Sequence, residues 1–294
     1  MPTCPQPASE LVTRARIALG TLVEISLPRS EATPERFAAA FSVVDRIHAL
    51  MSAHSADSDI ARIAREAHRR AVTVDRDTFD VLRMARRLED LSAGVFDVRV
   101  ASALLPAQSP AVKPLGGSLV LERECRVRAT SPVMLDLGGI AKGYAVDRAV
   151  AVLRATGASS GVVNAGGDLR IFGDEFWQYV HVRHPRRPTF AIALGEARQI
   201  AVATSGGYYG GTVVDPRNER LLRLKTSVTV ASARCAVADA LTKIVALAPA
   251  RAPALLARFR AQAWIVLAHG TKIRVSTAGR VAANRLRPAA RTAA

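Results

Sequence analysis

Asp136-Leu137-Gly138-Gly139-Ile140-Ala141-Lys142-Gly143-Tyr144-Ala145-Val146-Asp147 is the most informative stretch of this chain. Two adjacent glycines let a backbone come close to a ligand, and they open a helical pattern that runs from about Gly139 to a stop at Gly157. The free N–H groups of a helix start and the helix dipole favour an anion there, and Lys142 lies one turn in. Phosphate binding is the expectation. The segment is not a Walker loop, because Gly143 follows Lys142 where Ser or Thr is needed. A glycine-rich turn ahead of a core helix, with Lys142 on a solvated face, accounts for the same letters.

Three further segments share its character. Asn164-Ala165-Gly166-Gly167-Asp168 closes an apolar run and sets a carboxylate at a tight turn, which an ordinary strand turn also explains. Ala203-Thr204-Ser205-Gly206-Gly207-Tyr208 leads into Thr212-Val213-Val214-Asp215-Pro216-Arg217. Ser227 to Ala231 leads into Ala238-Asp239-Ala240-Leu241-Thr242-Lys243, where Asp239 is a lone acid in an apolar helix. A buried acid needs a partner. A hard cation such as magnesium is one candidate, and Lys243, four residues on along the same helix face, is the other.

Working outward, Ile17, Leu19, Val23, Ile25 and Leu27 are spaced as in one half-buried strand. Thr33 is placed to cap a helix that starts at Pro34, buries Phe37, Phe41, Val44 and Ile47 and ends near Ser52. Asp57 heads a short helix through Ile60 and Ile63, and another from near Asp77 carries Phe79, Leu82, Ala85 and Leu88 to a stop at Gly94. Prolines and glycines from about Ala107 to Gly117 mark a loop, after which 118–129 has the composition of one strand. Apolar runs at 161–164, 177–183, 190–194, 199–203 and 227–231 predict successive strands. A helix from Arg234 to Leu247, a shorter one near 253–259 and strands at 262–268 and 272–276 complete the pattern. Strands and helices do not alternate in βαβ units, so the expected fold class is α+β, with mixed sheets and packed helices. Residues 1–16 form an N-terminal segment, 17–277 a single domain and 278–294 a mobile basic tail.

With 49% hydrophobic and 22% charged residues over 294 positions, the chain has enough apolar material for a sizeable core. No window approaches the ~18 consecutive apolar residues of a membrane span, and the first fifteen residues lack the apolar stretch of a signal peptide. A cytoplasmic location is the expectation. Only three residues precede Cys4, and the three cysteines, Cys4, Cys125 and Cys235, have neither CxxC nor zinc spacing. The formal charge of +16 raises the question of nucleic acid, but the basic residues are mostly scattered arginines, with Lys at 113, 142, 225, 243 and 272 alone. No recognition motif accompanies the charge, so no nucleic-acid partner is expected.

The order of these segments, more than any one of them, resembles the FAD:protein FMN transferase family, the ApbE-like lipoproteins once linked to thiamine biosynthesis. Leu19-Gly20-Thr21 is similar to the family's opening Met-Gly-Thr, and Ser52 to Asp59 is similar to its Ser-x-Tyr-x-x-x-Ser-Glu segment. Gly94-Val95-Phe96-Asp97 matches its Gly-x-Phe-Asp, and the four segments above follow in family order across roughly residues 17 to 277. The resemblance implies an ApbE-like, T-fold-like architecture. It further implies an enzyme that transfers FMN from FAD, with magnesium, to a Thr or Ser hydroxyl of an acceptor flavoprotein, releasing AMP. Carried over residue by residue, Leu19, His54, Phe96, Asp97, Asp136, Lys142 and Val213 would contact FAD. Gly139, through its carbonyl, Asp239 and Thr242 would hold magnesium, and Thr212 and Asp168 would stand at the catalytic positions.

The departures lie around the same site. Thr212 stands where the family has His, and a hydroxyl is no base near neutral pH. Lys243 stands at the family's metal-binding Thr, with Thr242 as the neighbouring substitute, and His54, Ala64 and Glu219 replace the usual Tyr, Asn and Gly. Two alternatives follow: a non-catalytic FAD-binding paralogue in which Lys243 supplies the metal's charge, or a hydrolase that splits FAD into FMN and AMP. Family acceptors are often membrane-associated redox subunits facing away from the cytoplasm and the family is often exported, so either this acceptor is cytoplasmic or the sequence starts late.

Overall fold

The computed structural model describes residues 10–100, 117–207, 212–275 and 286–287. The expected proline- and glycine-rich loop therefore lies almost wholly outside the described residues, as do Cys4 and most of the basic tail.

The chain begins with a hairpin, strands β1 (Leu11–Ala18) and β2 (Thr21–Pro28), where one strand over 17–27 was expected. The correction has a local cause: Leu19 and Gly20 both take positive φ, 54° and 70°, a two-residue turn that folds the apolar run back on itself. Helix α1 (Pro34–Met51) starts as expected, with the Thr33 hydroxyl accepting from the Arg36 N–H. Helix α2 (Asp59–Glu66) is capped by Ser58, which accepts from Ala61 N at 3.0 Å, and not by Asp57. Strand β3 (Val72–Thr73) leads to helix α3 (Arg76–Ser92), ended by Ala93 and Gly94 in left-handed conformation. The segment 118–129 is a hairpin of β4 (Leu119–Leu121) and β5 (Arg126–Ala129), because Glu124 and Cys125 take positive φ.

Helix α4 (Ala141–Ala155) is followed by strands β6 (Gly161–Ala165), β7 (Asp168–Phe172), β8 (Gln178–Arg183), β9 (Ala191–Ala197) and β10 (Ile200–Gly206). A short hairpin, β11 (Thr212–Asp215) and β12 (Arg220–Arg223), precedes β13 (Ser227–Ser232), helices α5 (Cys235–Leu247) and α6 (Ala252–Arg258), and strands β14 (Gln262–Val266) and β15 (Lys272–Val275). Strand β16 (Leu286–Arg287), inside the segment expected as a tail, pairs with Glu196 and Ala197 of β9.

The main sheet is antiparallel throughout, ordered β1-β2-β6-β7-β10-β13-β14-β15, and the smaller sheets are β16-β9-β8, β3-β5-β4 and the β11-β12 hairpin. Alternation along β10 separates its two faces. Ala201 and Ala203 join the cores built with α1, α4 and α5, whereas Ile200 and Val202 pack with Val180, Val182 and Leu194 of the β8-β9 sheet. The main sheet thus has helices on one face and the small sheet on the other, the expected α+β arrangement.

Helices α4 and α5 approach most closely at Gly143. A Cβ there would strike the Cys235 carbonyl and come within 2.7 Å of Ala236 N, all of it backbone. Gly143→Ala, which in an exposed helix would stabilise by ~1 kcal/mol, is expected here to destabilise the protein by about 1–3 kcal/mol in urea unfolding. An unchanged or higher stability would refute this close crossing.

Candidate functional site

The close crossing sets the N-terminal turn of α4 against the first residues of α5, Cys235 and Ala236, with Asp239 one turn further along α5. Lys142 on α4 reaches back to the Gly138 carbonyl at 3.1 Å, and the Asp136 carboxylate accepts from Gly138 N at 2.7 Å, which fixes the glycine turn. From that turn the Lys142 ammonium lies 3.1 Å from Asp168 Oδ2 and 3.7 Å from Asp239 Oδ2. The other oxygen of Asp239 accepts from the Lys243 ammonium, one helical turn along α5. Asp168 Oδ1 accepts from Thr204 N at 3.3 Å.

Four charges therefore share one buried cluster. Burial works against the Lys142 ammonium, but Asp239 and Asp168 outweigh it and its pKa is raised. Burial also pushes the Asp239 carboxyl up, yet Lys142, Lys243 and the Gly143 N–H hold it below the usual carboxylate range. Asp168 moves the other way, raised by burial and by the nearby Asp239 charge against the two lysines. Asp168 Oδ2 and Asp239 Oδ2 lack hydrogen-bond partners and face the Lys142 ammonium as ion pairs.

A cavity of about 810 Å³ opens at this end of the main sheet, within the roughly 300–1,000 Å³ of small-molecule sites. Phe96, Asp97, Asp136, Gly139 and Lys142 line it from the α3–α4 side, and Lys243 from α5. Thr212 and Val213 line it from the β11-β12 hairpin. The hairpin is held there by Asp215, whose carboxylate accepts from Arg217 at 2.7 and 2.8 Å, while Arg217 also donates to the Leu247 carbonyl at the end of α5. This explains the Asp-Pro-Arg sequence as a clamp between hairpin and helix. The Asp97 carboxylate, though on the cavity wall, is taken up by Arg99, with bonds of 2.6 to 3.1 Å.

Several expected site residues fall elsewhere. Leu19 sits in the β1-β2 turn and His54 is exposed in the turn after α1, and neither lines the cavity. Asp168, Asp239 and Thr242 are buried behind the wall and do not line it either. The sequence reading did not single out Glu24, His181 and Arg183, which do line the cavity. Glu24 accepts from Asn164 at 3.1 Å. His181 and Arg183 come from β8, a strand of the other sheet, and nothing in their sequence neighbourhood marks them.

The expected magnesium ligands do not fit a magnesium ion. One Asp239 oxygen is bonded to Lys243 and the other faces Lys142. The Thr242 hydroxyl donates to the Asp239 carbonyl at 2.6 Å and meets Ser205 Oγ at 2.7 Å. The Gly139 position, expected to offer its carbonyl, lies beside the Lys243 stem, since a Cβ there would be 3.5 Å from Lys243 Cε. Among the described residues no group of three or more His, Cys, Asp or Glu side chains is placed to hold a metal. Two carboxylates face two ammoniums, so the cluster is neutral without a further cation, whereas magnesium requires near-octahedral oxygen ligation. The side chains expected to hold magnesium are engaged with one another in this arrangement, and the ion pair is the partner that Asp239 has.

The sequence pattern of the ApbE family matches residues 19–265. The chain belongs to the ApbE family. A relative from Rhodobacter capsulatus, called FAD:protein FMN transferase, is 39% identical over 127 residues, covering 39% of this chain and 24% of that protein. One of the same description from Vibrio cholerae is 25% identical over 230 residues, 68% of this chain and 69% of that protein. The chain thus spans about a quarter of the first relative and about two thirds of the second. The crystal structure of the ApbE protein from Thermotoga maritima has 25% identity and a TM-score of 0.76, covering 90% of this chain and 97% of that one. The Vibrio cholerae flavin transferase ApbE superposes with the same TM-score at 22% identity, covering 91% and 98%, a likeness of fold.

In this ApbE chain the α4–α5 junction carries one more device. Helix α5 has no cap of its own, and Asp147 of α4 supplies it, accepting from Cys235 N at 3.0 Å and Ala236 N at 3.1 Å while pairing with Arg170 at 2.6 Å. Asp147→Ala is expected to lose about 2–3 kcal/mol in urea unfolding, through the lost cap and the unpaired Arg170. A loss below about 0.5 kcal/mol, the level of an ordinary surface change, would sink this assignment.

Proposed function

We propose that this chain transfers FMN from FAD to a Thr or Ser hydroxyl of an acceptor protein and releases AMP. The observation that carries the reading is the pair of ammoniums, Lys142 and Lys243, presented to the cavity from a buried carboxylate base at a helix start. Positive charge fixed in that way suits a pyrophosphate. The names of the curated relatives support the same activity.

In this reading FAD lies in the cavity with its pyrophosphate on Lys142, and Phe96 and Val213 supply apolar wall beside it. The acceptor hydroxyl oxygen attacks the FMN-side phosphorus, and the bond to the AMP-side bridging oxygen breaks. Transfer of this kind depends on positioning and on neutralising phosphate charge more than on covalent help from the protein. Thr212 cannot accept the hydroxyl proton near neutral pH, so the proton passes to solvent. Asp168, buried behind Lys142, acts by holding the ammonium in place. Among the described residues no helix is long and apolar enough to cross a membrane.

The test is to incubate the purified chain with FAD and a redox subunit that carries a Thr or Ser flavinylation site. Flavin fluorescence on the denatured acceptor and AMP are then measured together. Equal amounts of both are expected, and Lys142→Met should slow their appearance roughly 100-fold or more. AMP formed at the same rate without acceptor would replace transfer by hydrolysis as the activity.

A further inference from the structure

We infer that the Lys243 ammonium is the built-in cation of this site, so that FAD binds and reacts without a divalent metal. The inference rests on FAD being the donor.

Position is the first observation. Lys243 lines the cavity, whereas the carboxylate it pairs with, Asp239, is fully buried and does not. Seen from the cavity, the ammonium stands in front of the carboxylate. A metal ion held by Asp239 would have to occupy that place, between carboxylate and ligand.

The lysine stem runs beside the glycine turn: a Cβ at Gly139 would be in ordinary contact with it, 3.5 Å from Cε and 3.9 Å from Cδ of Lys243. The hydroxyl next to it in sequence, Thr242, is committed to the Asp239 carbonyl and Ser205 and points no hydrogen into the cavity. Asp239 is left with two ammonium partners, one for each oxygen.

Charge gives the same answer. Asp168 and Asp239 carry two negative charges, and Lys142 and Lys243 two positive ones. With a neutral residue at 243 and a divalent ion on Asp239, the cluster would be positive by one. The lysine form is neutral, and it holds its cation covalently, so no metal must be recruited before the pyrophosphate arrives. An ammonium has three N–H donors, one of which is used on Asp239, leaving others for nonbridging phosphate oxygens.

The reaction balances without a metal. The acceptor oxygen forms its bond to phosphorus, the phosphorus–oxygen bond to AMP breaks with its electron pair leaving on AMP, and the hydroxyl proton is released to buffer. Lys243 supplies fixed positive charge to the oxygens on which negative charge gathers, and nothing is oxidised or reduced.

The experiment titrates the full chain with FAD, followed by flavin fluorescence, in EDTA and again in excess magnesium chloride. It also titrates the protein with magnesium chloride alone in a calorimeter. The wild-type affinity for FAD is expected to be the same in both buffers, with no heat of magnesium binding. Lys243→Thr is expected to bind FAD about tenfold or more weakly in EDTA and to recover on adding magnesium, while Lys243→Arg stays indifferent to the metal. If Lys243→Thr does not fold, the wild-type comparison decides alone. A wild-type affinity that rises about tenfold or more with magnesium, or a calorimetric magnesium site, would overturn the inference and leave FAD as donor. Absence of FAD binding in both buffers would overturn the donor assignment itself, and this inference with it.

Discussion

The approach of α4 to α5 at Gly143 governs how the rest of this molecule can be arranged. With backbone against backbone, the first turn of one helix lies beside the first turn of the other, and no side chain separates them. Lys142, one residue before the contact, is thereby brought within ion-pair distance of Asp239, and Asp147, one turn after it, meets the first N–H groups of α5. A single close contact thus sets the position of a cation, completes a helix end and aligns the cavity floor. The β10 and β13 strands beneath α5 then fix where Asp168 and Thr204 lie.

The charged cluster raises an energetic question of its own. Buried ions are costly to desolvate, and a buried pair seldom stabilises a fold more than apolar residues of the same volume would. Four such groups at the end of a sheet are therefore poor value as a structural device. They make sense as a site in which stability is given up to hold charge ready for a ligand, the usual reason that strained or desolvated groups gather at functional positions. The neighbouring network around Asp77 is different in kind. There Tyr144 donates to the carboxylate at 2.7 Å, with Arg46 and Arg148 beside it, and it ties α1, α3 and α4 together away from the cavity.

Much of this was legible in the letters. The caps at Thr33 and the left-handed stop at Gly94, the glycine turn before α4 and the Asp239–Lys243 spacing each follow from local chemistry that acts within a few residues. What the letters hid acts at longer range or through a single dihedral. The turns at Leu19-Gly20 and Glu124-Cys125 put non-glycine residues at positive φ, so two hairpins have the composition of single strands. Strand β7 begins at Asp168 directly after the two-glycine turn, and its charges, Asp168 and Arg170, interrupt the apolar pattern because they are paired across to other elements. His181 and Arg183 reach the cavity only because the β8-β9 sheet packs on the far face of the main sheet. Family likeness pointed to Phe96, Asp97, Asp136, Gly139, Lys142, Thr212 and Val213, which line the cavity, and the Lys243 ammonium, a departure from the family, stands on the same wall.

The separation of Lys142 from Asp239 in the chain, roughly a hundred residues, has a consequence for synthesis on the ribosome. At ribosomal rates of about 5–20 residues per second, the lysine emerges roughly 5–20 s before the second acid it pairs with. During that interval α4 can already lie on α1, and Lys142 can reach Asp168, but the backbone that Gly143 meets does not yet exist. The half-made chain is left with the α5 side of α4 open to solvent until α5 has emerged.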